Sequence, residues 1–222
     1  MVEKPLTDLN QADAPRRLAI SYAPTSARAG LQALLALDDL LGRILRTTRE
    51  PMVGQMRLTW WFEALERLDR DPPPAEPVLQ ALAAEILPRG VRGADLAGMI
   101  DGWEAILGDE PLGETGLLTF ARERGGRLFR AAAVVCGATD EQAEAAGEGW
   151  ALVDLAENLS DRGAATRALD LARLRLEEAM GRRWSRAGRA LGALVLLARF
   201  DLEGGGGVRR VGRLLLHRFT GR

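Results

Sequence analysis

Three segments carry residue types and spacings that could do chemistry. The first is Glu50-Pro-Met-Val-Gly-Gln-Met-Arg-Leu-Thr-Trp-Trp-Phe-Glu-Ala-Leu65. Proline after glutamate opens a helix, and positions 54, 57, 61 and 65 fall at steps of three and four along one face. Arg57 then stands between Gly54, which allows close approach, and Trp61, an apolar wall. From there the guanidinium is expected to point inward and meet Asp38, Asp39 or Glu50, because a buried guanidinium needs a partner and its planar fork suits a carboxylate. The second segment, Ala36-Leu-Asp-Asp-Leu-Leu-Gly-Arg43, sets Asp38 and Asp39 in an apolar helix. A carboxylate buried there without a partner is costly, so the pair either faces water or lines a cavity and holds a cation. In the third, Asp154, Glu157, Asn158 and Asp161 share one helical face, which is either a solvated stripe or an oxygen-rich cation site.

Other chemistries lack their parts. The chain has one histidine, His217, and one cysteine, Cys136, so His-based triads, zinc clusters and disulfide frameworks are excluded. Cys136 ends the apolar run Ala131-Ala-Ala-Val-Val-Cys136 and reads as a small buried hydrophobe. Gly204 to Gly207 lacks the lysine and Ser/Thr of a phosphate loop and reads as a flexible joint. A formal net charge of −1 gives no basic excess for nucleic acid. Lys4 is the only lysine among many arginines, as in a GC-rich genome. No run approaches the ~20 apolar residues of a membrane span, and Met1 to Ala14 lacks a signal core, so a cytoplasmic protein is expected.

The elements that position these residues are helices throughout. Leu31, Leu34, Leu35, Leu37, Leu40, Leu41, Ile44 and Leu45 recur at three and four, and no alternating β-branched run appears. Breaks at Pro and Gly predict helices over 25–47, 51–69, 76–87, 94–107, 115–136, 140–161, 166–180, 183–202 and 208–219. Thr115 and the Thr139-Asp140-Glu141-Gln142 run suit helix starts. The expectation is one all-α domain over 1–222, with 1–14 irregular and 208–222 a basic helix. In that last helix Val208, Val211, Leu215 and Phe219 form an apolar line. With Arg209, Arg210, Arg213 and Arg218 they suit an anionic surface, peripheral to the inner membrane.

Taken together, Glu50-Pro51…Gly54…Arg57-Leu58…Trp60-Trp61…Ala64-Leu65 resembles a stretch of the squalene/phytoene synthase family. Tyr22-Ala-Pro24…Arg28…Leu31 is similar to that family's first helix pair, and Gly125-Gly-Arg-Leu-Phe129…Gly137 to its central helix. Ala190-Leu-Gly-Ala-Leu194 to Leu202, with the arginine-rich tail, resembles its end. The resemblance implies an isoprenoid-synthase bundle of eight or nine helices around an apolar cavity, with Tyr22, Arg28, Asp38, Asp39, Arg57, Trp61 and Phe120 as ligand or cavity residues. Phe120 stands where a tyrosine is common. Family enzymes join prenyl diphosphates with magnesium held by two Asp-x-x-x-Asp helices. Here Gly42 follows Asp38 by four, and Arg162 or Ala165 follows Asn158 or Asp161.

Such departures resemble the family's non-catalytic branch, represented in mitochondria by a complex I assembly factor. That implies a pseudoenzyme without cofactor, binding a prenyl or lipid-like ligand or a protein partner, not nucleic acid. The alternative is a magnesium-dependent prenyltransferase on prenyl diphosphates, its metal held by Asp38, Asp154, Glu157 and Asp161.

Overall fold

The computed structural model describes residues 14–48, 50–107, 112–204 and 207–222, the side chains of 207–209 aside. The irregular segment expected over 1–14 falls almost wholly outside them. The described residues contain helices and no strand. A first helix not foreseen from the sequence, α1, covers 14–20. After a 3-10 turn at Thr25–Ala27 come α2 (Arg28–Thr47), α3 (Pro51–Arg67), α4 (Pro77–Glu85), α5 (Gly93–Ala97) and α6 (Met99–Glu104). Then α7 (Glu114–Phe120) runs through a π-helical segment, Ala121–Gly126, into α8 (Arg127–Cys136). The chain ends with α9 (Ala143–Asn158), α10 (Arg162–Met180), α11 (Arg189–Glu203) and α12 (Gly207–Thr220).

Local chemistry explains most of the boundaries. Pro51 and Pro77 open α3 and α4, where a missing N–H costs nothing. The Glu76 carboxylate accepts from the Leu79 amide at 3.0 Å, and Asp161 accepts from Gly163 at 2.7 Å to cap α10. Gly137 closes α8 with φ +67°, a conformation side chains resist.

Several expected boundaries move. The 94–107 stretch splits into α5 and α6 at Gly98, and Thr115 lies inside α7, whose cap is Gly113. Asp140 starts no helix: its carboxylate accepts from the Ser185 amide and hydroxyl, both at 2.7 Å. That contact pins the 183–188 turn, with Trp184 buried inside it, so α11 begins only at Arg189.

Helix α9 is the hub, packing on α10, the π segment, α11 and α8. One cluster of buried apolar residues runs from Ala19 to Leu214 and includes Leu34, Leu58, Phe120, Phe129, Leu152 and Trp184. No helix among the described residues is long and apolar enough to cross a membrane.

A buried histidine helps to seat α12. His217 is fully buried, and its Nε2 lies 3.0 Å from the Arg189 carbonyl, which only an N–H can satisfy. Burial pushes its pKa below the ordinary 6.5, hydrogen bonds to backbone opposing. The unfolded chain therefore binds the proton more readily, so stability is intact above pH 6.5 and falls as pH drops through that value. The thermal midpoint should decline on acidification, with a shallower slope for His217→Gln. Parallel slopes for the two proteins contradict this.

Candidate functional site

The two acid-bearing helices meet at a buried arginine. Arg124, in the π segment, is about 4% exposed and Asp38, on α2, about 2%. Arg124 Nε donates to Asp38 Oδ1 at 2.7 Å and Nη2 to Oδ2 at 2.8 Å, a bidentate fork. Its Nη1 donates to Asp154 Oδ2, on α9, at 2.6 Å. The guanidinium also lies 4.3 Å from the Trp103 ring centroid, 4.9 Å from Trp150 and 5.1 Å from Phe120.

Burial works against the Arg124 charge, but Asp38 and Asp154 outweigh it and hold its pKa above the ordinary value. Burial likewise raises the Asp38 carboxyl, with Arg124 pulling the other way. The site is thus a fixed cation between two carboxylates, walled by aromatic faces. Its backbone is unusual too, since π-helical turns are rare and gather at functional sites.

What aims Arg124 is the glycine beside it. Gly125 and Gly147 face each other where the π segment crosses α9. A Cβ on Gly125 would fall 2.1 Å from the Gly147 carbonyl oxygen, and the reverse is equally close. Only two glycines permit this approach, which brings Arg124 within reach of Asp154.

The residues singled out in the sequence divide among several places. Asp38, Asp154 and Phe120 gather at Arg124. Asp39 is exposed and pairs with Arg16 at 2.9 Å. Glu157 is exposed and lines, with Asp154 and Trp150, a groove that borders the Arg124 centre. Helix α9 stops at Asn158, whose side chain donates to the Asp154 carbonyl, so Asp161 leaves the shared face and caps α10.

Arg57 corrects the expectation made for it. It is exposed, donates to the Thr48 hydroxyl at 3.3 Å and has no carboxylate partner among the described residues. The buried stripe of α3 is Gly54, Leu58, Trp61 and Leu65, and Arg57 sits at its edge, where a long side chain reaches water. Nor does Gly54 enforce a close contact, since a Cβ there would meet its nearest neighbours at 3.7 Å. Trp61 is buried as expected and stacks edge-on to Trp60. With Leu40, Arg43, Ile44 and Arg57 these rings line a groove of about 410 Å³ between α2 and α3. Tyr22 and Arg28 line a different groove, at the end of α12.

Magnesium does not fit this centre. Both Asp38 oxygens and one of Asp154 are held by the guanidinium. A Cβ at Gly42, where the first Asp-x-x-x-Asp would end, would lie 3.0 Å from the Trp103 ring. Among the described residues no group of three or more Asp, Glu, His or Cys is placed to hold a metal.

Sequence reasoning missed Arg124. Its signal was local and weak: one arginine of the charged run Arg122-Glu123-Arg124, followed by Gly125-Gly126.

No curated protein and no solved structure matches the chain significantly. The squalene/phytoene synthase family model matches residues 9–197, nearly the whole length, and the chain belongs to that family.

Proposed function

We propose that this squalene/phytoene synthase-like protein is non-catalytic and acts by binding a prenyl-chain or lipid-like ligand, or a protein partner such as one met in respiratory-complex assembly. One observation carries the reading. The carboxylates that would hold magnesium clamp Arg124 instead. A guanidinium at that position supplies fixed positive charge but has no open coordination position for a diphosphate oxygen, and bridging metal is most of what diphosphate departure requires.

The α2/α3 groove supports the binding role. Trp60, Trp61, Leu40 and Ile44 offer apolar contact, and Arg43 and Arg57 stand beside them for an anionic head. On the same helix Met52, Met56 and Trp60, four residues apart, are 74%, 67% and 49% exposed, a line suited to a partner helix.

Titration with farnesyl diphosphate, and separately with a quinone-like lipid, followed by tryptophan fluorescence, tests the ligand. Saturable quenching is expected, weakened about tenfold in Trp60→Ala, a loss in line with stripping one aromatic wall from such a site. Failure to quench with every prenyl or quinone-like compound removes the small-ligand reading and leaves the protein partner.

A further inference from the structure

The groove at the end of α12 gathers four arginines in its walls. It measures about 930 Å³, and its walls include Tyr22, Arg28, Arg186, Arg189, Arg218 and Phe219. No aspartate or glutamate lines it, and none of the four arginines has a carboxylate partner among the described residues.

The arginines are held in place without being neutralised. Arg28 donates to the Ala23 carbonyl at 3.2 Å and to Ser21 at 2.8 Å, and Arg189 donates to the Arg218 carbonyl. The Arg218 guanidinium lies 5.5 Å from the Tyr22 ring centroid. Tyr22 is 9% exposed, and its hydroxyl, like Arg189 Nε, is buried with no hydrogen-bond partner. Burial and the neighbouring Arg183 and Arg186 charges lower the Arg189 pKa, as expected where positive charge lacks a counter-ion.

Next to this charge stands an apolar edge. Val211, Leu215 and Phe219, four apart on α12, are 51%, 45% and 74% exposed, while Leu214 and His217 on the other side are buried. Arg218 follows Leu215 by three, so a charge lies beside the apolar line on the helix surface.

We propose that this face docks on an anionic phospholipid surface, with a lipid phosphate in the arginine groove and Leu215 and Phe219 entering the acyl boundary. A soluble phosphate would account for the arginines but leaves the exposed Phe219 and Leu215 unexplained. A bilayer answers both, because basic side chains meet the headgroups while apolar ones enter below them. The docking does not depend on whether the Arg124 centre is catalytic.

Sedimentation of the full chain with vesicles tests this. Binding is expected to vesicles containing phosphatidylglycerol and not to phosphatidylcholine alone, weakening steeply with added salt. Arg186→Glu/Arg218→Glu should lower the affinity about tenfold or more, and Phe219→Ser should lower it as well, whereas Arg70→Glu, exposed in the turn after α3 and outside the groove lining, should leave it within about twofold. Melting curves of the variants show that each is folded. A calorimetric titration with inorganic phosphate and pyrophosphate separates the sources. Tight binding of those ions without vesicle binding overturns the lipid assignment. So does equal binding to neutral and anionic vesicles, absence of binding to either, or unchanged binding by the charge-reversed variant.

Discussion

Arg124→Met should lower unfolding stability by about 3–5 kcal/mol, the range for breaking one side of a buried ion pair. The substitution removes both hydrogen bonds to Asp38 and leaves that carboxylate about 2% exposed with no partner. It also removes the cation from the faces of Trp103, Phe120 and Trp150. The partner variant separates lost pairing from lost packing. In Asp38→Leu/Arg124→Met no buried carboxylate is stranded, while Asp154, about 40% exposed, still reaches water. Most of the lost stability should return, as it does where apolar residues replace a whole buried pair. Urea denaturation of the four proteins in the cycle measures the coupling. An unchanged midpoint for Arg124→Met, or a double variant no better than the single, removes the pair from the account of the core.

Gly125→Ala should be nearly as damaging, at about 3 kcal/mol, the upper part of the usual range for overpacking. Its Cβ would fall 2.1 Å from the Gly147 carbonyl oxygen, a backbone atom that moves only if the helices part. Separation at that crossing draws Arg124, the adjacent residue, away from Asp154. Gly147→Ala meets the mirror-image contact and should cost a similar amount. Gly54→Ala is the control: with nothing nearer than 3.7 Å, alanine in that helix should add about 0.5–1 kcal/mol of stability. Equal effects at the three glycines contradict the close crossing.

Most of the helical plan was legible because it rests on local pattern. The leucines of α2 fall inward as their spacing demands, and proline fixes the starts of α3 and α4. Breaks set by distant contacts were not legible. Nothing between 183 and 188 announces that Asp140 ties that turn down. The close crossing of the π segment on α9 likewise joins Gly125 to Gly147, 22 positions away by their numbers.

The site failed for a related reason. Asp38 was singled out because a carboxylate among leucines is costly, and it is buried. Its partner lies 86 residues further along the chain and reads locally as one arginine among many. Arg124 holds the role expected of Arg57, because spacing relative to Gly54 and Trp61 cannot say which side of a buried stripe a long side chain will leave by. The face expected to carry Asp154, Glu157, Asn158 and Asp161 is interrupted by the end of α9 at Asn158.

Incubation of the purified protein with farnesyl and geranylgeranyl diphosphate plus magnesium, with products separated by chain length, tests the central claim most directly. A metal clamp needs oxygens from both helices, whereas here Asp38 and Asp154 are spent on Arg124, position 42 is a glycine and Asp161 caps another helix. Each electrostatic group lost from such a centre typically costs about a hundredfold in rate. No squalene or phytoene is therefore expected, with or without magnesium, and Asp38→Ala should change stability but not turnover. Magnesium-dependent product that disappears in Asp38→Ala would show a working prenyltransferase and contradict the account.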